Sequence, residues 1–169
     1  SRGSASLRPH SRATRFSMCF SMPAWMSAVT TLGGARYAQD LSFASLVKVD
    51  HIIYKQRAYV LVNDQSNSEF RSAVSVDHHD CRLGKWYEGP AKEVFGDVPS
   101  FLRLLDPHRK VHSSVHNMVQ LMEQKWEYDD GLQDKIFNAL RIAESASLDV
   151  MRAIDNMVAE KHPDKVKTT

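Results

Sequence analysis

The sequence predicts an all-α protein, an antiparallel four-helix bundle. Three observations carry the prediction. Apolar residues recur at steps of three and four over long stretches, which is the spacing of one helix face. The breaks between those stretches are short and polar or contain Gly and Pro, so successive helices turn back on one another. The chain has 169 residues, 43% hydrophobic and 25% charged, which suits one domain with an ordinary soluble core.

Taken in order, residues 1–39 stand apart. They hold Arg2, Arg8, Arg12, Arg15 and Arg36 but no acid, are rich in serine, and are interrupted by Pro9, Pro23 and Gly33-Gly34. No period of 3.6 or 2 persists there. The segment reads as a linker or a cloning remnant, poorly ordered, ahead of a helical domain at 40–162 and a polar tail at 163–169. An arginine-rich, acid-poor start also imitates an organelle transit peptide, a third reading.

From Asp40 the pattern turns helical: Phe43, Val47, His51, Tyr54, Ala58 and Leu61 share a face. Asp40 or Ser42 is the candidate cap, and the polar run Asn63 to Asn67 ends the helix. Phe70 to Val76 forms a short helix or an extended piece. Cys81 to Tyr87 is expected to make a helical turn that drives the thiol and Trp86 inward, stopped at Gly89-Pro90. Pro99 suits a first helical position. Asp106-Pro107 implies either a kink or a restart with Asp106 as cap. After a turn at Tyr128 to Gly131, a last helix from Leu132 to about Glu160 carries the stripe Leu132, Ile136, Leu140, Ala143, Ser147, Val150, Met151, Ile154 and Val158.

Net charge is only +2, which argues against a dedicated nucleic-acid binder. No apolar run approaches the ~20 residues of a membrane span. The two cysteines, Cys19 and Cys81, make no disulfide framework, so a cytoplasmic, reducing setting fits.

The chemistry concentrates in CRLGKWYEG, Cys81 to Gly89, which offers one thiolate ligand, a glycine that admits close backbone approach, and two aromatics to seal a site. His51 lies upstream in KVDHIIYK and three histidines lie downstream in HRKVHSSVH. One cysteine and three histidines from separate segments suit tetrahedral zinc. At about 100° per residue, His112 falls about 40° from His108, and Val115, Val119, Met122 and Trp126 stay within about 40° of the same line. His116 drifts to about 80°, so the inward pair is His108 and His112. His78 and His79 are adjacent, and adjacent residues on a helix point ~100° apart, so they read as exposed or supporting residues. Asp50, Asp80 and Asp106 are candidates to orient an imidazole.

These residues resemble the chemoreceptor zinc-binding domain family of bacterial chemoreceptors and diguanylate cyclases. The matching pieces are Asp50-His51 with Lys55 and Tyr59, Cys81 through Gly89, and Pro107-His108 with Val111-His112, and the resemblance spans roughly Leu41 to Glu160. It implies a zinc site made by His51, Cys81, His108 and His112. It also implies a homodimer and a regulatory role, in which zinc, or oxidation of the zinc-bound cysteine by hypochlorous acid, alters a signalling domain present in cis or in trans.

Four protein ligands leave zinc no open position, which points to a structural or sensory site and not to an enzyme. HExxH is absent, because Arg109, Lys110 and Val111 separate His108 from His112. Two other classes compete: a helical-bundle metalloenzyme, which wants a carboxylate among the histidines, and a dimerisation module that zinc merely staples.

Overall fold

A computed structural model describes the backbone of residues 24–166 and the side chains of residues 32–165. Cys19 and most of the segment read as a linker lie outside the described residues. All the regular structure described is helical, as expected.

The first helix, α1, runs Ala24–Asn63, starting well before the expected cap at Asp40 or Ser42. At residues 32–34, where its side chains are first described, the helix has little to pack against. Leu32 is 64% exposed, and a Cβ at Gly33 or Gly34 would meet nothing within 4 Å. Further on, Val47, His51, Ala58 and Leu61 are buried and Phe43 and Tyr54 half-buried, which is the predicted face.

The helix ends at Asn63, where polar turn chemistry was expected. Asn67 then caps α2 (Ser68–Val74) by accepting from the Phe70 amide at 2.9 Å. A loop leads to α3 (Arg82–Glu88), which Cys81 caps. Next come α4 (Ala91–Phe95) and α5 (Pro99–Leu102), with Pro99 in the first turn as predicted. The sixth helix, α6 (Leu105–Leu121), starts with Leu104 at its cap position. Asp106 is therefore not a cap, and Pro107 makes no kink. It sits within the first turn, where an amide has no intrahelical partner to lose. A 3₁₀ turn at Trp126–Tyr128 leads to α7 (Asp130–Lys161), capped by Asp129, and then to α8 (Pro163–Val166).

α7 is the helix the others share, packing against α6, α1 and α5. Its pairs with α1 run in reverse order: Asp40 with His162 at 2.7 Å, Lys48 with Asp155, and Lys55 with Glu144 at 2.7 Å. The buried apolar residues form two clusters. One joins Val47, Leu83, Phe95, Phe101 and Val111 to Val150 and Ile154, with Trp86 packed on it. The other joins Ala58, Leu61, Val115 and Met118 to Ile136 and Leu140. The predicted histidines lie where the two meet: His51 falls between Val47 and Ala58 on α1, and His108 and His112 flank Val111 on α6.

Candidate metal centre

Three helical segments bring the ligand candidates together. His51 comes from the middle of α1, His108 and His112 from successive turns of α6, and Cys81 from the start of α3. The three imidazoles are 4%, 2% and 3% exposed, so this is a buried polar group in an apolar setting. One nitrogen of each lies within 4.8 Å of the others. Ring centroids are 5.3 Å apart for His51 and His108 and 5.0 Å for His108 and His112.

Backbone carbonyls fix the ring orientations. Nδ1 of His51 donates to the Val47 carbonyl at 3.1 Å, and Nδ1 of His112 donates to the Val76 carbonyl at 2.9 Å. A carbonyl only accepts, so each proton sits on Nδ1 and the lone pair is on Nε2. Nε2 of His51 is buried with no hydrogen-bond partner among the described residues. An orphaned buried nitrogen is costly unless something occupies it, and a metal ion fits that lone pair. Asp50, Asp80 and Asp106 do not take the orienting role expected of them. Asp50 pairs with Arg82 at 3.2 Å and Asp106 with Arg109 at 3.0 Å.

Cys81 is outside that group of three and touches it through His108, its Sγ lying 3.3 Å from Nε2 of that ring. The Gly84 amide donates to the same sulfur at 3.3 Å. Glycine is required there for space: a Cβ on Gly84 would lie 1.9 Å from the His78 carbonyl oxygen. Trp86, five residues on from Cys81, packs into the core, its ring 4.6 Å from Phe43 and 5.5 Å from Phe95. A cavity of about 260 Å³ opens on the other side, lined by His51, His112 and Cys81 together with Asp50, Arg57 and Arg82.

Burial sets the protonation states. It holds His51 below the usual histidine value, with the Val47 carbonyl opposing. It takes His108 down to about 2, helped by the neighbouring His51 and His112, and His112 down to about 4. Burial pushes the Cys81 thiol up, against the Gly84 amide. Neutral imidazoles beside a thiol are a zinc-type donor set, three nitrogens and a sulfur.

The other histidines fall as follows. His116 is not one of the three whose nitrogens converge, although its ring is 6.2 Å from that of His112. His79 is exposed and His78 half-buried. These two do not point apart, because residues 77–80 form a turn and not a helix, and their rings are 3.8 Å apart. Lys55 and Tyr59, singled out in the sequence, both reach Glu144 of α7, at 2.7 and 3.1 Å, and tie the ligand helix to its neighbour.

Comparison with curated proteins and with solved structures gives no match. A family model does match, that of the chemoreceptor zinc-binding domain, over residues 51–119. The span begins at the α1 histidine and takes in Cys81 and both α6 histidines, so the segment that builds this centre is similar to the chemoreceptor zinc-binding domain.

Proposed function

We propose that His51, Cys81, His108 and His112 together hold one zinc ion, and that the domain is a regulatory sensor in bacterial signal transduction, not an enzyme. The observation that carries this reading is the buried trio of neutral imidazoles with a cysteine sulfur 3.3 Å from one of them. Bound zinc keeps a cysteine as the thiolate, the form oxidants attack. The protein's part is to present that sulfur. Gly84 donates an amide to it, and the cavity beside Arg82 gives small molecules access to it. Attack by hypochlorous acid converts thiolate to sulfenic acid and releases chloride, and the sulfur becomes a poorer ligand. The segment bearing Cys81 then loses its tie to α1 and α6.

The scaffold we infer is an antiparallel four-helix bundle built chiefly from α1, the α2–α3 region, α6 and α7. The reversed α1–α7 pairing supports it. Self-association as a cytoplasmic homodimer is the expected state. Leu46, Val49 and Ile53 expose apolar surface at helical spacing on α1, and Phe137 and Leu148 do so on α7. Among the described residues no helix is long and apolar enough to cross a membrane. The output is a signalling domain in cis or in trans. The metalloenzyme alternative has less support, since the buried group contains no carboxylate.

The test is to treat zinc-loaded protein with stoichiometric hypochlorous acid while following released zinc with a chromogenic chelator and self-association by light scattering. The sensor reading expects zinc release or a change in association that is lost in Cys81→Ala. If oxidation lowers only the melting temperature, the zinc is a structural staple.

A further inference from the structure

The loop between α2 and α3 carries a second group of ligating side chains that the buried centre does not use. Asp77 begins a tight turn, its carbonyl accepting from the amides of Asp80 at 3.1 Å and Cys81 at 3.2 Å. Its carboxylate folds back over that turn, where Oδ1 accepts from the His79 amide at 3.0 Å. The same oxygen lies 3.0 Å from Nδ1 of His78 and 3.9 Å from Nε2 of His79. One donor atom from each of the three residues lies within 4.8 Å of the others. Two ligands on one zinc, each bonded at 2.0–2.2 Å in a tetrahedral arrangement, are about 3.4 Å apart. The observed separations bracket that value.

A carboxylate stands behind one of the rings. Glu88 of α3 contacts Nδ1 of His79, on the side of the ring away from Asp77. It thereby fixes the proton on Nδ1 and aims the Nε2 lone pair at the group, which is how carboxylates support metal-bound histidines. The side chains of Asp77 and His79 are exposed and His78 is half-buried, so the group faces solvent and water can complete the coordination. The ring of His78 is also 6.0 Å from that of His108, so the group lies beside the buried centre, with which it shares no residue.

We propose that Asp77, His78 and His79, supported by Glu88, form a second and weaker site for a divalent transition-metal ion such as zinc. The donor set is two imidazoles and one carboxylate, with no thiolate. Its exposure makes it weaker than a closed four-ligand site, so the domain binds zinc over two concentration ranges.

The test is a calorimetric titration of the full chain with Zn²⁺ alone, repeated with Co²⁺ by absorbance. Wild type is expected to give two binding events. His79→Gln and Asp77→Asn each weaken the second by tenfold or more and leave the first intact, which also reports that the variants fold. Glu88→Gln weakens the second event less, by up to about tenfold. With Co²⁺, the second event adds ligand-field absorbance without a sulfur-to-cobalt charge-transfer band. A Cys81→Ala, His112→Ala double variant keeps the weaker event, so failure of the buried site leaves this test readable. A single event in wild type, or a second event unchanged by His79→Gln, overturns the proposal.

Discussion

Gly84 presses its Cα against the carbonyl of His78 while its amide reaches the sulfur of Cys81 at 3.3 Å. One residue without a side chain thus sets how closely α3 approaches the loop that carries the thiol. No described residue has a positive φ, so the glycine is there for space and not for its backbone conformation. Gly84→Ala would put a methyl 1.9 Å from a backbone oxygen, and that oxygen has no flexible side chain to move aside. We expect a loss of about 1–3 kcal/mol of stability and weakened zinc binding as Cys81 is displaced. Urea denaturation with and without a chelator measures both. Unchanged stability and metal affinity would contradict the packing described.

The metal-free protein should lose stability on mild acidification. His108 and His112 are held at about 2 and about 4 in the folded chain, first by burial, against about 6.5 when unfolded. A lowered folded value means that the unfolded state takes up protons first. The stability these neutral rings contribute is therefore present above about pH 6.5 and declines as the pH falls from there toward about 4. Denaturation midpoints of chelator-treated protein at pH 7.5, 6 and 5 should fall in that order, and less steeply for His112→Asn. A flat profile in wild type would show the rings to be more hydrated than the structure has them.

Much of this was legible in the sequence, and what was not has physical reasons. The His51 face of α1 and the inward pair on α6 were readable because burial imposes a helical period on residue type. Helix α1 begins at Ala24, and at residues 32–34 it buries little, so no apolar period marks it there. The sequence points to nearby aspartates as supports of His51 and His112, but the supports are the carbonyls of Val47 and Val76, and a carbonyl has no residue-type signature. His78 and His79 were separated by assuming a helix where the chain makes a turn.

Glu144 and Asp155 offer a comparison within one interface. Glu144 holds both Lys55, whose side chain is only 14% exposed, and Tyr59, whereas Asp155 is 59% exposed and, among the described residues, pairs with Lys48. Glu144→Gln should destabilise by about 1 kcal/mol and Asp155→Asn by less than about 0.5 kcal/mol, since exposed pairs contribute little. Equal effects in thermal denaturation would argue against a Lys55–Tyr59–Glu144 clamp.

Trp86 anchors the aromatic cluster behind the centre, 4.6 Å from Phe43, 5.5 Å from Phe95 and 6.1 Å from Phe101 between ring centroids. Trp86→Ala should cost about 3–5 kcal/mol, with Trp86→Phe well tolerated. A chelator should destabilise both variants further, because the cluster and the ligands act on the same helix α3. Loss of that chelator sensitivity in the folded Trp86→Phe variant would count against the coupling.

The most direct test of the central claim is elemental analysis of purified protein at the tight site, after dialysis against a weak chelator, with Cys81→Ala and His112→Ala beside it. The account predicts about one zinc per chain in wild type and a sharp loss in each variant. No retained zinc in wild type, or retention unaffected by either substitution, would contradict a centre built from His51, Cys81, His108 and His112.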